Sequence, residues 1–294
     1  MIDVRNLTRR FGDLTAVGGV SFAVLDGAIT GFVGGNGAGK TTTMRMITGL
    51  LAIDDGEVRW DGAPITADQR RSIGYMPEER GLYPKQGILD QLVYFGVLSG
   101  MSSGDARDTV MEYLERFGLA ERASERVEKL SLGNQQRVQI IAALVHRPRA
   151  LVLDEPFSGL DPVAVDRMVD LLREQADRGI PVLFSSHQLD LVERISDRVV
   201  ILAGGRVVAD GGVMELRERG GVVHRLVTTA DVGWLASSPD AASFVRRDDG
   251  ATVTLVDAAG ADQRLLAEAL SHGPVHEFVR VVPTLTEIYR EVSS

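Results

Sequence analysis

Residues 34–42 read Gly-Gly-Asn-Gly-Ala-Gly-Lys-Thr-Thr. They follow a short apolar run, Ile29–Val33, and open into Lys40–Thr48, which reads as a helix. Strand, glycine-rich loop and helix in that order are the context of a phosphate-binding loop, G-x-x-x-x-G-K-[ST]. Glycines 34, 35, 37 and 39 permit backbone conformations and close approach that side chains would block. The loop amides can then face the β- and γ-phosphates of a nucleotide, with the positive helix N-terminus behind them. Lys40 supplies a point charge, and the Thr41 hydroxyl can ligate Mg²⁺. Gly34, Asn36, Gly37, Ala38, Gly39, Lys40, Thr41 and Thr42 are therefore the expected nucleotide-binding residues.

A second site feature closes the apolar strand Ala150–Leu153. Asp154 and Glu155 stand at its carboxyl end, where open α/β sheets bind ligands. Side chains alternate along a strand, so adjacent carboxylates point differently and can divide the work. Asp154 is expected to hold Mg²⁺, directly or through water. Glu155 is left to orient the attacking water or take its proton.

The rest of residues 1–214 alternates strand-like and helix-like stretches, the signature of an α/β sheet. Glu57–Trp60, Ile73–Met76, Val182–Ser186, Arg198–Ala203 and Arg206–Gly211 read as strands, the last two around a Gly204-Gly205 turn. Leu89–Val97, Asp105–Phe117 and Asn134–Leu144 form an all-helical insertion over about 77–144, and Pro162–Arg178 is an amphipathic helix with proline at its start. After Met214 the texture changes. Val222–Thr228, Asp231–Ser237, Ala242–Arg247, Thr252–Val256, Asp262–Ser271 and Val275–Val282 run β-α-β-β-α-β, the ferredoxin-like order, and Thr284–Val292 reads as a closing helix after Pro283. The expectation is an α/β ATPase domain over 1–214, with a mixed sheet and a helical subdomain, and a small α+β domain over 215–294.

Composition narrows the function further. The chain has 294 residues, of which 44% are hydrophobic, as expected of a globular protein with a substantial core. No apolar run approaches the roughly 18–20 residues that span a bilayer. Met1–Arg5 lacks the regions of a signal peptide. The absence of cysteine excludes disulfides and thiolate metal sites and fits a reducing cytoplasm. A net charge of −9 argues against nucleic acid as a partner.

A third cluster carries a family resemblance. Leu130-Ser131-Leu132-Gly133-Asn134-Gln135-Gln136-Arg137 is similar to the LSGGQ signature of the ATP-binding subunits of ABC transporters, and the resemblance covers most of residues 1–214. It implies an ATPase that binds ATP and Mg²⁺ as a homodimer. In it Ser131 and Gly133, with Asn134 beside them, reach the γ-phosphate held by the opposite subunit. Ser158-Gly159-Leu160-Asp161 resembles the loop that contacts the other protomer, so Asp161 joins the implied site. His187, after Ser185-Ser186, matches the histidine that contacts the γ-phosphate, and Phe11 the aromatic that stacks on adenine. For Phe11 simple core packing is the alternative.

The sequence departs from the family at three places. Leu132 replaces a glycine, Asn134 a glutamine, and Glu78 the glutamine whose side chain touches Mg²⁺ or the lytic water. A carboxylate can still ligate a metal, so Glu78 joins Thr41 and Asp154 as an expected ligand. Gly74–Lys85 and the Gly-Asn-Gln-Gln signature resemble the sodium-export and drug-resistance branch of bacterial exporters, members of which carry an extra C-terminal domain. The resemblance implies a cytoplasmic subunit, peripheral on the inner face of the membrane and bound to an integral membrane permease. The alternatives are a non-transport ABC ATPase and a regulatory nucleotide-binding module.

Overall fold

The computed structural model describes residues 1–79, 81–218, 223–256, 258–282 and 284–293. Val222 and Pro283, expected at element boundaries, lie outside the described residues. The chain divides into two compact units, Met1–Gly211 and Gly212–Ser294.

In the first unit, β3 (Ile29–Gly34) is buried at every position, because it lies inside a six-stranded sheet. The preceding strands β1 (Ile2–Phe11) and β2 (Leu14–Val24) belong to a separate antiparallel sheet with β4 (Asp55–Trp60) and β5 (Ala63–Pro64). Between them α1 (Lys40–Thr48) follows the glycine loop, and α2 (Ala67–Arg71) precedes β6 (Ile73–Met76). The helices α3 (Ile88–Leu98), α4 (Ser103–Arg116) and α5 (Leu132–Leu144) then pack on one another. They form the crossover between β6 and its parallel neighbour β7 (Ala150–Leu153). The unit is completed by α6 (Pro162–Asp177), β8 (Val182–Ser186), α7 (Leu189–Ile195), β9 (Arg198–Ala203) and β10 (Arg206–Gly212). Among the described residues the large sheet runs β10-β9-β3-β8-β7-β6, and β9, β3, β8, β7 and β6 are parallel. Phe22 and Phe32, with ring centroids 5.0 Å apart, help join the two sheets into one core.

Two long elements, β1 and β2, are not among the expected strands, although Ile2–Arg5 and Val20–Val24 each alternate apolar buried residues with less buried ones. Their register shifts between Val4 and Leu7, and again around Arg9, and each shift breaks the alternation of apolar and polar residues.

The second unit opens with α8 (Val213–Glu218), followed by β11 (Val223–Thr228), β12 (Ala241–Arg247), β13 (Gly250–Leu255), α9 (Ala261–His272), β14 (Val275–Val281) and α10 (Leu285–Ser293). Its sheet is antiparallel in the order β12-β13-β11-β14, which is the ferredoxin-like topology. One expected element is corrected. The stretch Asp231–Ser237 is no α-helix but a 3₁₀ turn over Gly233–Ser237. The Asp231 carboxylate accepts the Gly233 amide at 3.1 Å, a local turn that competes with helix, and Pro239 follows closely.

Two contacts tie the helical crossover to the rest of the unit, one to the sheet and one to α6. At Gly74 an added Cβ would run into the carbonyl oxygen of Ala143, so α5 lies directly against the backbone of β6. Arg116 of α4 donates to Glu174 of α6 at 2.6 Å and holds that carboxyl below its ordinary range. We predict that Gly74→Ala destabilises the protein by about 1–3 kcal/mol through overpacking; an unchanged urea midpoint would refute the close approach. A carboxyl whose pKa is depressed by folding adds stability above its unfolded value and loses it as pH falls through the folded one. Arg116→Ala should therefore lower the unfolding free energy at neutral pH, by no more than about 1 kcal/mol for a partly exposed pair, read as a lower urea midpoint. Well below the carboxylate range it should have no effect.

Candidate nucleotide site

The parallel strands β3, β7 and β8 end at the same edge of the sheet, and a cleft of about 970 Å³ opens there. It is lined by Gly35 to Thr42 of the loop, Phe11, Leu14 and Ala16, Glu78, Gln136, Asp154, Glu155, Ser158 and His187. The phosphate loop, both strand-end carboxylates and the histidine therefore meet in one place.

The loop is pre-shaped. Gly39, at φ +101°, occupies the left-handed region as N-cap of α1, and a Cβ there would strike the Ala16 carbonyl oxygen at 2.7 Å. The Lys40 ammonium reaches back to donate to the carbonyls of Gly34 at 2.7 Å and Gly35 at 3.3 Å. That holds its charge at the loop. Gly34 differs from expectation: it is buried at the end of β3 and does not line the cleft, and its contribution is the carbonyl that Lys40 holds.

Asp154 is 1% exposed. Ser185 Oγ of β8 donates to its Oδ1 at 2.5 Å, whereas Oδ2 is buried without a hydrogen-bond partner. Leaving one such group unsatisfied costs about 1–3 kcal/mol, and more for a charged one. A cation at the mouth of the cleft would relieve that cost. Among the described residues no cluster of three or more His, Cys, Asp or Glu could hold a metal alone. Few carboxylates combined with substrate phosphates suit Mg²⁺, which keeps waters and phosphate oxygens as ligands. Thr41 and Glu78 line the same cleft, so the donor set fits Mg²⁺ carried in with a nucleotide.

Glu155 Oε2 and His187 Nδ1 lie 3.0 Å apart; an ionised carboxylate only accepts, so this contact calls for the proton on Nδ1. The carboxylate is mostly buried, and the His187 side chain is 61% exposed. Glu155 also stands at φ +51°, one of four described non-glycine residues with positive φ. Such a conformation costs about 1–3 kcal/mol. Two hydrogen bonds to its backbone, from Gln136 Nε2 to the carbonyl at 3.0 Å and from the amide to Ser185 Oγ at 2.9 Å, offset most of it at about 0.5–1.5 kcal/mol each. Gln136 and Ser185 stand within motifs quoted from the sequence, yet no role followed from residue type. Their roles arise from contacts between strands and helices far apart in the chain.

Phe11 is 48% exposed at the end of β1, with the Arg9 guanidinium 5.0 Å from its ring centroid. Leu14, 66% exposed, pairs with it across the turn into β2. Core packing therefore does not explain Phe11, and the two make an apolar wall for the cleft. Ser131, Gly133, Asn134 and Asp161 do not line the cleft. Ser131 caps α5, its Oγ accepting the Asn134 amide at 3.4 Å, while Gly133 lies close to the Gly159 carbonyl. Asp161 caps α6 through the Ala164 amide at 2.9 Å and meets Arg137 at 3.3 Å.

Residues 17–158 match the family described as ABC transporter, and residues 211–293 match the family described as ATP-binding protein DrrA1-3-like, C-terminal domain. An uncharacterised ABC transporter ATP-binding protein of Bacillus subtilis, YhaQ, is 37% identical over 292 residues, covering 99% of this chain and 98% of that protein. The chain belongs to the ABC transporter ATP-binding proteins. The Nod factor export ATP-binding protein I of Burkholderia lata is 39% identical over 220 residues, 74% of this chain and 72% of that protein. Among solved structures, an ATP-binding subunit of an ABC transporter shares a TM-score of 0.69 at 31% identity, covering 74% of this chain and 92% of that one. A bacterial ABC transporter cassette solved as a dimer, MJ0796, shares a TM-score of 0.66 at 25% identity, covering 72% and 99%.

This ABC transporter ATP-binding protein is thus an ATPase with its phosphate loop and strand-end carboxylates in one cleft. We predict that Lys40→Ala weakens ATP binding by about 10- to 100-fold, the equivalent of one charge-assisted hydrogen bond. Equilibrium titration with ATP checks it, and wild-type affinity would remove Lys40 from the site.

Proposed function

We propose that two copies of this chain close around two Mg-ATP and drive export through a separate integral membrane permease. The observation that carries this reading is the pairing of Glu155 with His187, at 3.0 Å, beside the phosphate loop and the free oxygen of Asp154. The dimeric state of a solved relative and the export function named for another support it. Among the described residues no helix is long and apolar enough to cross a membrane; in this reading the work passes to the permease. The helical crossover and the Glu78 loop are the surface we assign to that contact. The subunit then works in the cytoplasm, peripheral on the inner face of the membrane.

Each residue takes a defined part. The loop amides and Lys40 bind the phosphates, and Phe11 with Leu14 supports the base. Thr41 and Asp154, with Glu78 beside them, hold Mg²⁺, which screens the phosphate charge when bound. Glu155 receives the proton of the attacking water at its carboxylate. His187 keeps that carboxylate aimed through its Nδ1–H and presents its exposed edge to the terminal phosphate. Ser131, Gly133, Asn134 and Asp161 stand apart from their own chain's cleft and, in this reading, serve the partner's.

Two sites are also what the energetics require. An ATP that binds only the closed dimer at ~100-fold over its Kd contributes about 2.7 kcal/mol. Two give about 5.4 kcal/mol, close to the roughly 5.5 kcal/mol that takes a two-state equilibrium from 1:99 to 99:1. One is too few.

Glu155→Gln should bind ATP as the wild type does, lose turnover by about 100-fold or more, and accumulate as an ATP-bound dimer on size exclusion. Turnover at the wild-type rate would sink the role given to Glu155.

A further inference from the structure

A carboxylate that takes a proton in the transition state must be aimed, and the backbone beneath Glu155 is not one that a glutamate adopts by itself. At φ +51° it occupies a region that non-glycine residues hold only where their surroundings impose it. Two side chains, one from β8 and one from α5, hold it here. Ser185 Oγ of β8 accepts the Glu155 amide at 2.9 Å and donates its own proton to Asp154 Oδ1 at 2.5 Å. Gln136 Nε2 of α5 donates to the carbonyl of Glu155 at 3.0 Å and to that of Pro156 at 3.1 Å. Both are buried, Gln136 at 5% exposure, so no water can readily take over either bond.

We infer that Gln136 and Ser185 are positioning residues for ATP hydrolysis, a clamp that holds the Glu155 backbone left-handed so that its carboxylate faces the cleft. Gln136 exerts its half from α5, which Ser131 caps and whose first turn holds Gly133. The next residue on the same face, Gln139, donates to the carbonyls of Pro77 at 2.5 Å and Glu79 at 3.4 Å, which bracket Glu78. Through two buried amides α5 therefore grips both loops that bring a glutamate to the cleft. A shift of α5 against β7 changes the aim of Glu155 without any change in the phosphate loop.

The inference rests on Glu155 acting on the water, and the test separates the two. Steady-state ATPase kinetics are measured for Gln136→Leu, Ser185→Ala, Ser185→Thr and Glu155→Gln, and for Gln136→Leu combined with Glu155→Gln. Gln136→Leu keeps the shape and removes the donor. Its kcat should fall by about 10- to 100-fold, the loss that a misplacement of about 1 Å brings, with KM for ATP within about twofold of wild type. Because the clamp works only through Glu155, Gln136→Leu should cost nothing further in the Glu155→Gln background. Ser185→Ala should lose kcat and need more Mg²⁺ for half-saturation, and Ser185→Thr, which keeps the hydroxyl, should recover both.

A kcat for Gln136→Leu equal to wild type, a loss that appears in KM alone, or an equal further loss on top of Glu155→Gln would each overturn the clamp. If Glu155→Gln itself turns over at the wild-type rate, the reading of Glu155 fails instead. Should Gln136→Leu not fold by circular dichroism, the serine pair decides, and identical kcat for Ser185→Ala and Ser185→Thr overturns the clamp.

Discussion

One hydrogen bond between neighbouring strands organises this site. Ser185 Oγ on β8 donates to Asp154 Oδ1 at the end of β7, and the same oxygen accepts the amide of Glu155. A hydroxyl has one proton and two lone pairs, so a single serine can serve both neighbours at once. The consequence is asymmetry in the aspartate: one oxygen is occupied, and the other is left buried and unpaired toward the cleft. The distinction between an aspartate suited to a metal and a glutamate suited to a proton thus begins with a residue that is neither.

The parallel sheet makes that bond possible. With β3 between β9 and β8, and β8 beside β7, the chain is led to the same edge three times, each time after a buried strand. Glycine loop, carboxylates and histidine come from segments more than thirty residues apart, yet they share one cleft. The burial of β3, β7 and β8 on both faces makes this edge rigid. A rigid edge is what an electrostatic site requires, since dipoles that need no rearrangement are the effective ones.

The parts of this site that are local were legible in the amino-acid order. The phosphate loop with its helix, and the strand before Asp154, depend on short-range spacing and stand where that spacing puts them. The topology of the C-terminal sheet was legible from the alternation of short elements, although its first helix shrank to a turn under the competing Asp231 carboxylate. What escaped was non-local. Strands β1 and β2 keep the period-two pattern only at Ile2–Arg5 and Val20–Val24; the register shifts interrupt it toward Phe11 and Leu14, so their apolar wall had no visible support. Gln136 and Ser185 gain meaning only through backbone atoms 19 and 30 residues away along the chain.

Among the described residues β12 and β14 form the two margins of the C-terminal sheet. Open strand margins invite a foreign strand to add on, and neither margin here is a welcoming template. Arg246 and Arg247 stand exposed side by side near the end of β12, and β14 sets exposed His276, Glu277 and Arg280 along its length. An intruding strand would have to strip water from these groups without offering them partners. Charged side chains placed along such margins disfavour the pairing of one copy's strand with another's.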